Sequence, residues 1–247
     1  FSGNGAQYDG MCRLALESDP VYRAQFSQVD ALFARDVGWS ILAHLAGETL
    51  DVSSGDLAQG MLFADQISQI ASLAERGIKP AAVIGHSGGE IAAACASGVF
   101  SVEQAVALIA VRCGIQRHIE GKGGMAALQA GAADAEAALA GFDHADPDFP
   151  IAISSINSPR SVTLSGPKSE LKRFGKWVKK AHRCASVLLD LDFPYHSVLL
   201  APYEADFHRG MDSFEPQNSD VHYFSATHGR VAVGSDLNAK YWWDNLR

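Results

Sequence analysis

Ser87 stands in Gly85-His86-Ser87-Gly88-Gly89, a GxSxG string whose glycines permit a tight turn. Such a turn lifts the hydroxyl clear of its surroundings and offers the backbone N–H of Gly88 to a developing oxyanion. The same string also suits a glycine-rich strand-to-helix turn that binds phosphate. A serine hydroxyl attacks a carbonyl well only when a base takes its proton, so one of the nine histidines must serve. His86 is adjacent, but its side chain should project differently from that of Ser87 around the turn. His196, in Phe193-Pro194-Tyr195-His196-Ser197, is the stronger candidate: it follows a returning strand near the junction of two expected lobes, where ligands collect. The remaining histidines are read as structural.

Arg112 is the third residue with chemical meaning. On the helical stretch from Gln104, Ala105, Leu108 and Ile109 form an apolar face that Arg112 continues. An inward guanidinium is costly unless a carboxylate or phosphate pairs with it. Either an internal Asp or Glu answers it or a ligand anion does.

The elements that must hold these residues follow from the patterning. Met61 to Arg76 has helical spacing and ends at Gly77; Pro80 to Gly85 is a short buried strand; Glu90 to Ser97 is an alanine-rich helix. Ser101-Val102-Glu103-Gln104 has capping-box spacing and opens a helix running to about Glu120. These alternations predict an α/β fold: a hydrolase-like core with a parallel sheet. From Met125 to Leu191 the order changes. Strands at 125–129, 149–156, 161–165 and 185–191 and helices at 133–140 and 168–182 make β-α-β-β-α-β, a ferredoxin-like pattern. The expected organisation is a discontinuous large subdomain, 1–121 and 188–247, with a ferredoxin-like small subdomain, 122–187, inserted into it.

With 47% hydrophobic and 19% charged residues the composition is that of an ordinary folded protein. No apolar run approaches the roughly 20 residues of a membrane span and no signal peptide opens the chain, so a cytoplasmic location and no membrane partner are expected. A net charge of −8 argues against nucleic acid as a partner. Cys12, Cys95, Cys113 and Cys184 show no CxxC or Cys/His spacing and read as buried free thiols, with no metal site. The two ends look cut from something longer.

Four separated segments resemble one family, the malonyl-transferase-like acyltransferase domains of modular polyketide synthases. They are Phe1-Ser2-Gly3-Asn4-Gly5-Ala6-Gln7, Gly85-His86-Ser87-Gly88-Gly89-Glu90, Asn157-Ser158-Pro159 with Ser161 to Gly166, and Tyr241 to Arg247. The resemblance implies that Ser87 is acylated, that His196 is the general base, and that Asn245 orients His196 through its backbone carbonyl. It also implies an oxyanion hole from the backbone N–H groups of Asn4 and Gly88, a pocket role for Gln59, and Arg112 as partner of a malonyl-type carboxylate. The implied activity moves that acyl group from coenzyme A to the phosphopantetheine thiol of an acyl carrier protein, in polyketide biosynthesis. Partners would be acyl-CoA, the carrier protein and neighbouring synthase domains, with no bound cofactor.

Acyl choice is expected to depend on the four residues Phe193 to His196, which match neither the malonyl nor the methylmalonyl pattern of the family. Tyr195 is bulky and favours malonyl; Gly88, where a larger residue is usual, leaves room for a branch. The helix from Lys168 to Arg183 carries a basic face that suits an acidic carrier protein or a neighbouring domain. Two rival readings are a serine esterase of α/β-hydrolase type and a catalytically silent docking module.

Overall fold

The computed structural model describes residues 1–47 and 55–247. In chain order the elements are α1 (Arg13–Ser18), α2 (Pro20–Asp36), α3 (Ile41–Leu45), α4 (Gly55–Glu75), β1 (Ala82–Ile84), α5 (Gly89–Ala96) and α6 (Val102–Gln116). Then come β2 (Gly124–Leu128), α7 (Ala132–Ala140), β3 (Ala152–Ser158), β4 (Ser161–Gly166), α8 (Lys168–Ala181) and β5 (Ser186–Leu188). The chain finishes with α9 (Glu204–Gly210), β6 (His222–Ser225), β7 (Arg230–Ala232) and α10 (Ala239–Leu246). It divides into two units, one of Phe1–Cys113 with Asp206–Leu246 and one of Gly114–Ala205. The smaller unit is thus wider than the 122–187 expected, because the end of α6 and the stretch after β5 cluster with it. Gly121 N–H, for instance, donates to Asp192 O at 2.8 Å.

In the larger unit, β1 pairs in parallel with β6, and β6 pairs antiparallel with β7. Period-two alternation turns Val83, Tyr223, Ser225 and Ala232 inward, while Ile84, Phe224 and Val231 are exposed. Helix α2 begins on Asp19, whose side chain accepts from Val21 and Tyr22 N–H at 3.0 and 3.1 Å, with Pro20 at the first helical position. It buries Tyr22, Phe26, Val29 and Phe33 along one stripe. Helix α4 starts six residues earlier than its periodicity predicts, because Leu57, Ala58, Gln59, Gly60 and Met61 are buried on every side and leave no polar face to mark a period. The capping box opening α6 is present: Gln104 N–H donates to Ser101 Oγ at 3.2 Å and Ser101 N–H to Gln104 Oε1 at 3.0 Å.

The smaller unit holds the β-α-β-β-α-β order in a four-stranded antiparallel sheet, β3-β4-β2-β5. Leu171, Phe174 and Val178 of α8 lie against Ala126, Leu128, Val162 and Leu164 of the sheet, each large side chain contributing about 1.5–3 kcal/mol by leaving water. Strand β3 begins at Ala152, later than the 149 expected, and Pro150, which has no N–H for a ladder, stands just before it.

Candidate active site

The candidate nucleophile sits where β1 turns into α5. Ser87 has φ of +51°, a left-handed conformation that a side chain adopts only when the surroundings impose it. The turn is closed by Gly89 N–H to His86 O at 2.9 Å, Glu90 N–H to Ser87 O at 3.0 Å and Ile91 N–H to Gly88 O at 3.1 Å. Gly88 N–H, at the head of α5, stands outside that set. Two glycines are obligatory for packing. A Cβ on Gly85 would run into the backbone of Glu90, and one on Gly89 would lie 2.5 Å from Phe1 O and 2.6 Å from Ser2 O. The opening segment is pressed onto the turn and hydrogen-bonded there: the Phe1 nitrogen donates to Ile84 O at 2.7 Å and His86 N–H to Phe1 O at 3.0 Å.

This docking brings three of the expected residues to one cavity. Asn4, Gln59 and Gly88 line it, with Leu62, Phe63 and Ile109. Gln59 is buried on α4, its Nε2 donating to Gly55 O at 3.3 Å. A Cβ placed on Gly88 would stand 3.7 Å from Gln59 Oε1, an ordinary contact.

A second group is joined by hydrogen bonds. Arg112 is buried, as its place on the apolar face of α6 predicts, and its Nη1 donates to Asn245 Oδ1 at 2.7 Å. The amide nitrogen of Asn245 donates to the carbonyl of Ser87 at 3.2 Å and to Glu90 Oε1 at 3.1 Å, and lies 3.1 Å from Thr227 Oγ1. Glu90, fully buried in the first turn of α5, accepts five donors. Thr227 N–H and Oγ1–H reach Oε1 at 3.0 and 2.6 Å together with Asn245; Tyr223 reaches Oε2 at 2.7 Å together with the Tyr241 hydroxyl. A buried carboxylate is tolerable only when its lone pairs are satisfied, and here both oxygens are. Burial, with the Glu90 charge beside them, pushes the Tyr223 and Tyr241 hydroxyls well above the usual phenol range. One helix face supplies two partners: Tyr241 and Asn245 are four residues apart on α10.

Glu90, Thr227, Tyr223 and Tyr241 are given no site role by the sequence reading, although Glu90 and Tyr241 lie in segments that carry the resemblance. Glu90 did carry a signal, an acid inside an apolar, alanine-rich helix; Thr227 carried none. The amide of Asn245 also has a task, bridging Arg112 to Glu90 and Ser87, separate from the backbone role the resemblance assigns it.

The remaining two candidates belong to the smaller unit. His196 is half-buried with φ of +55°. Four described residues other than glycine have positive φ, and two of them are the expected nucleophile and base. Tyr195 is buried and stacks on Phe193, ring centroids 5.1 Å apart and planes within 2°, beside Met125. On α8, Lys168 pairs with Asp192, and Arg173 pairs with Glu170 at 2.7 Å while lying 4.6 Å over the Phe142 ring. Lys172, Lys176, Lys179 and Lys180 are exposed.

All four cysteines are free; Cys12 and Cys113 are buried, and Cys95 and Cys184 are half-buried rather than fully enclosed. Among the described residues no helix is long and apolar enough to cross a membrane, and no group of three or more His, Cys, Asp or Glu could hold a metal ion.

The family profile described as "Acyl transferase domain" matches residues 1–247. The chain is 33% identical over 251 residues to the erythronolide synthase EryA3 of Saccharopolyspora erythraea, covering 100% of this chain and 8% of that protein. Among solved structures, the acyltransferase domain from module 8 of the salinomycin polyketide synthase superposes with a TM-score of 0.90 at 28% identity, over 100% of this chain and 57% of that one. A loading acyltransferase from the avermectin modular polyketide synthase gives 0.90 at 29%, over 100% and 77%. The esterase reading of GxSxG is therefore set aside: the chain belongs to the acyl transferase domain family.

Proposed function

We propose that this chain carries a malonyl-type acyl group from coenzyme A to the phosphopantetheine thiol of an acyl carrier protein, through an ester on Ser87, in polyketide assembly. The observation that carries the reading is the single amide of Asn245, which holds both the carbonyl of the strained Ser87 and the buried guanidinium of Arg112. A nucleophile and a cation able to read a carboxylate are thereby tied together, which an enzyme acting on a neutral ester does not need.

The proposed chemistry has two halves. His196 takes the Ser87 proton as the oxygen bonds to the thioester carbonyl carbon. The resulting oxyanion rests on the N–H groups of Asn4 and Gly88, each contributing about 3 kcal/mol. The carbon–sulfur bond breaks, coenzyme A leaves with the proton from His196, and acyl-Ser87 remains. The carrier thiol then gives its proton to His196, attacks the ester, and Ser87 leaves reprotonated. Asn245 lies in the last turn of α10, where carbonyls lack intrahelical donors, which supports its backbone carbonyl as the group that orients His196. Arg112 pairs with the acyl carboxylate. Gln59 and Tyr195 shape the pocket, and bulk at Tyr195 favours malonyl over branched units. None of these steps uses a metal or a bound cofactor.

Intact-mass measurement after mixing with malonyl-CoA tests the reading. A malonyl adduct that persists, maps to Ser87, and transfers to a phosphopantetheinylated carrier supports it. Rapid hydrolysis, or no adduct at all, removes it; the latter would favour a silent docking module.

A further inference from the structure

Resting on the proposed role of Arg112, we propose that Glu90 is a positioning residue for acyl selectivity, acting on Arg112 through the side chain of Asn245. A side-chain amide can face either way, and which way it faces is set by its neighbours. Here Glu90 Oε1 can only accept, so it draws the Nδ2 end of Asn245 toward itself at 3.1 Å and turns Oδ1 toward Arg112, where Nη1 donates at 2.7 Å. Reversing the amide would set an N–H against a guanidinium N–H and a carbonyl against a carboxylate. Glu90 is held in turn by Thr227, Tyr223 and Tyr241, so the orientation is anchored in the sheet and in α10 rather than left to one contact.

The arrangement sets the neutral amide of Asn245 between the Arg112 guanidinium and the Glu90 carboxylate. Because the same amide nitrogen holds the Ser87 carbonyl at 3.2 Å, the reading cation and the nucleophile keep a common reference.

The test compares Ser87 acylation by malonyl-CoA and acetyl-CoA in Glu90→Gln, Thr227→Val and Arg112→Ala. In Glu90→Gln one oxygen of the acceptor becomes a donor and the charge is lost, so the hold on Asn245 weakens. The malonyl-over-acetyl ratio of kcat/KM should fall about tenfold, expressed mainly as a raised KM for malonyl-CoA. Thr227→Val keeps the volume, removes one donor to Glu90 and one neighbour of Asn245, and should shift the ratio about threefold in the same direction. It also serves if Glu90→Gln does not fold. An equal loss with both donors in these variants would mean that Glu90 is merely structural and would overturn the proposal. A ratio unchanged in Arg112→Ala would instead overturn the reading of Arg112 itself, and the proposal with it.

Discussion

Arg112 Nη1 donates to Asn245 Oδ1 at 2.7 Å, joining two buried residues 133 positions apart in sequence. The bond places a cation from α6 on the same side chain that holds the carbonyl of Ser87. Truncating one member of a buried, hydrogen-bonded charged contact costs about 2–5 kcal/mol where the ligand depends on it. Arg112→Ala should therefore lower kcat/KM for malonyl-CoA by about 100-fold, and acetyl-CoA should then approach malonyl-CoA as a donor. Steady-state acylation with each donor measures it; a variant that keeps its preference for malonyl-CoA contradicts the assignment.

The glycines of the elbow differ in what they permit. Gly89→Ala drives a methyl into Phe1 O and Ser2 O, at 2.5 and 2.6 Å, and should cost at least about 1–3 kcal/mol of stability. Gly88→Ala meets Gln59 Oε1 at 3.7 Å and lies at φ of −56°, so its melting temperature should stay near that of the parent protein. Thermal denaturation of the two variants side by side checks the contrast.

Alkaline pH should loosen the larger unit. Burial pushes the Cys12 and Cys95 thiols up to about 12, from 9.0 in the unfolded chain. A raised folded value means that the stability contribution is whole below pH 9 and is lost as pH rises from there toward 12, since only the unfolded chain can release the proton. Urea midpoints should fall above pH 9, with a slope up to about 1.4 kcal/mol per pH unit for each thiol. Cys95→Ala should flatten that slope, and an unchanged slope in this variant would show that the thiol is not responsible.

The exposed lysines of α8 supply a partner test. Reversing Lys176 and Lys179 to Glu should slow transfer to the carrier protein several-fold and leave formation of malonyl-Ser87 unaltered, because like-charge contacts act mainly on encounter. Single-turnover measurement of each half-reaction distinguishes the two; equal slowing of both would show the face to be unrelated to docking.

Local pattern made much of the fold legible. The capping box at Ser101, the glycine stop at Gly77, the amphipathic stripe of α8 and the β-α-β-β-α-β order are all short-range signals, and each is present. Helix α2 was equally marked, by Asp19-Pro20 and the apolar spacing from Tyr22 to Phe33, although it was not assigned from the sequence. The beginning of α4 was not marked, because a segment buried on all sides has no polar face from which to read a period. Ser87 and Arg112 stand out in the sequence for opposite reasons, one sitting among glycines that a tight turn requires and the other being a charge on an apolar stripe; the left-handed φ of Ser87 and the burial of Arg112 are both present. Thr227 was invisible, since a lone threonine in a polar turn says nothing about a carboxylate 137 positions away.

The sequence by itself determined which residues are candidates for the proposed chemistry, because a candidate nucleophile, base or cation is a matter of residue type and immediate neighbours. Only the tertiary structure decided how the carboxylate of Glu90, the amide of Asn245 and the guanidinium of Arg112 are ordered into one chain. Hydrogen-bond direction depends on which atoms meet, and these meet only after α5, α6, α10 and β6 have packed.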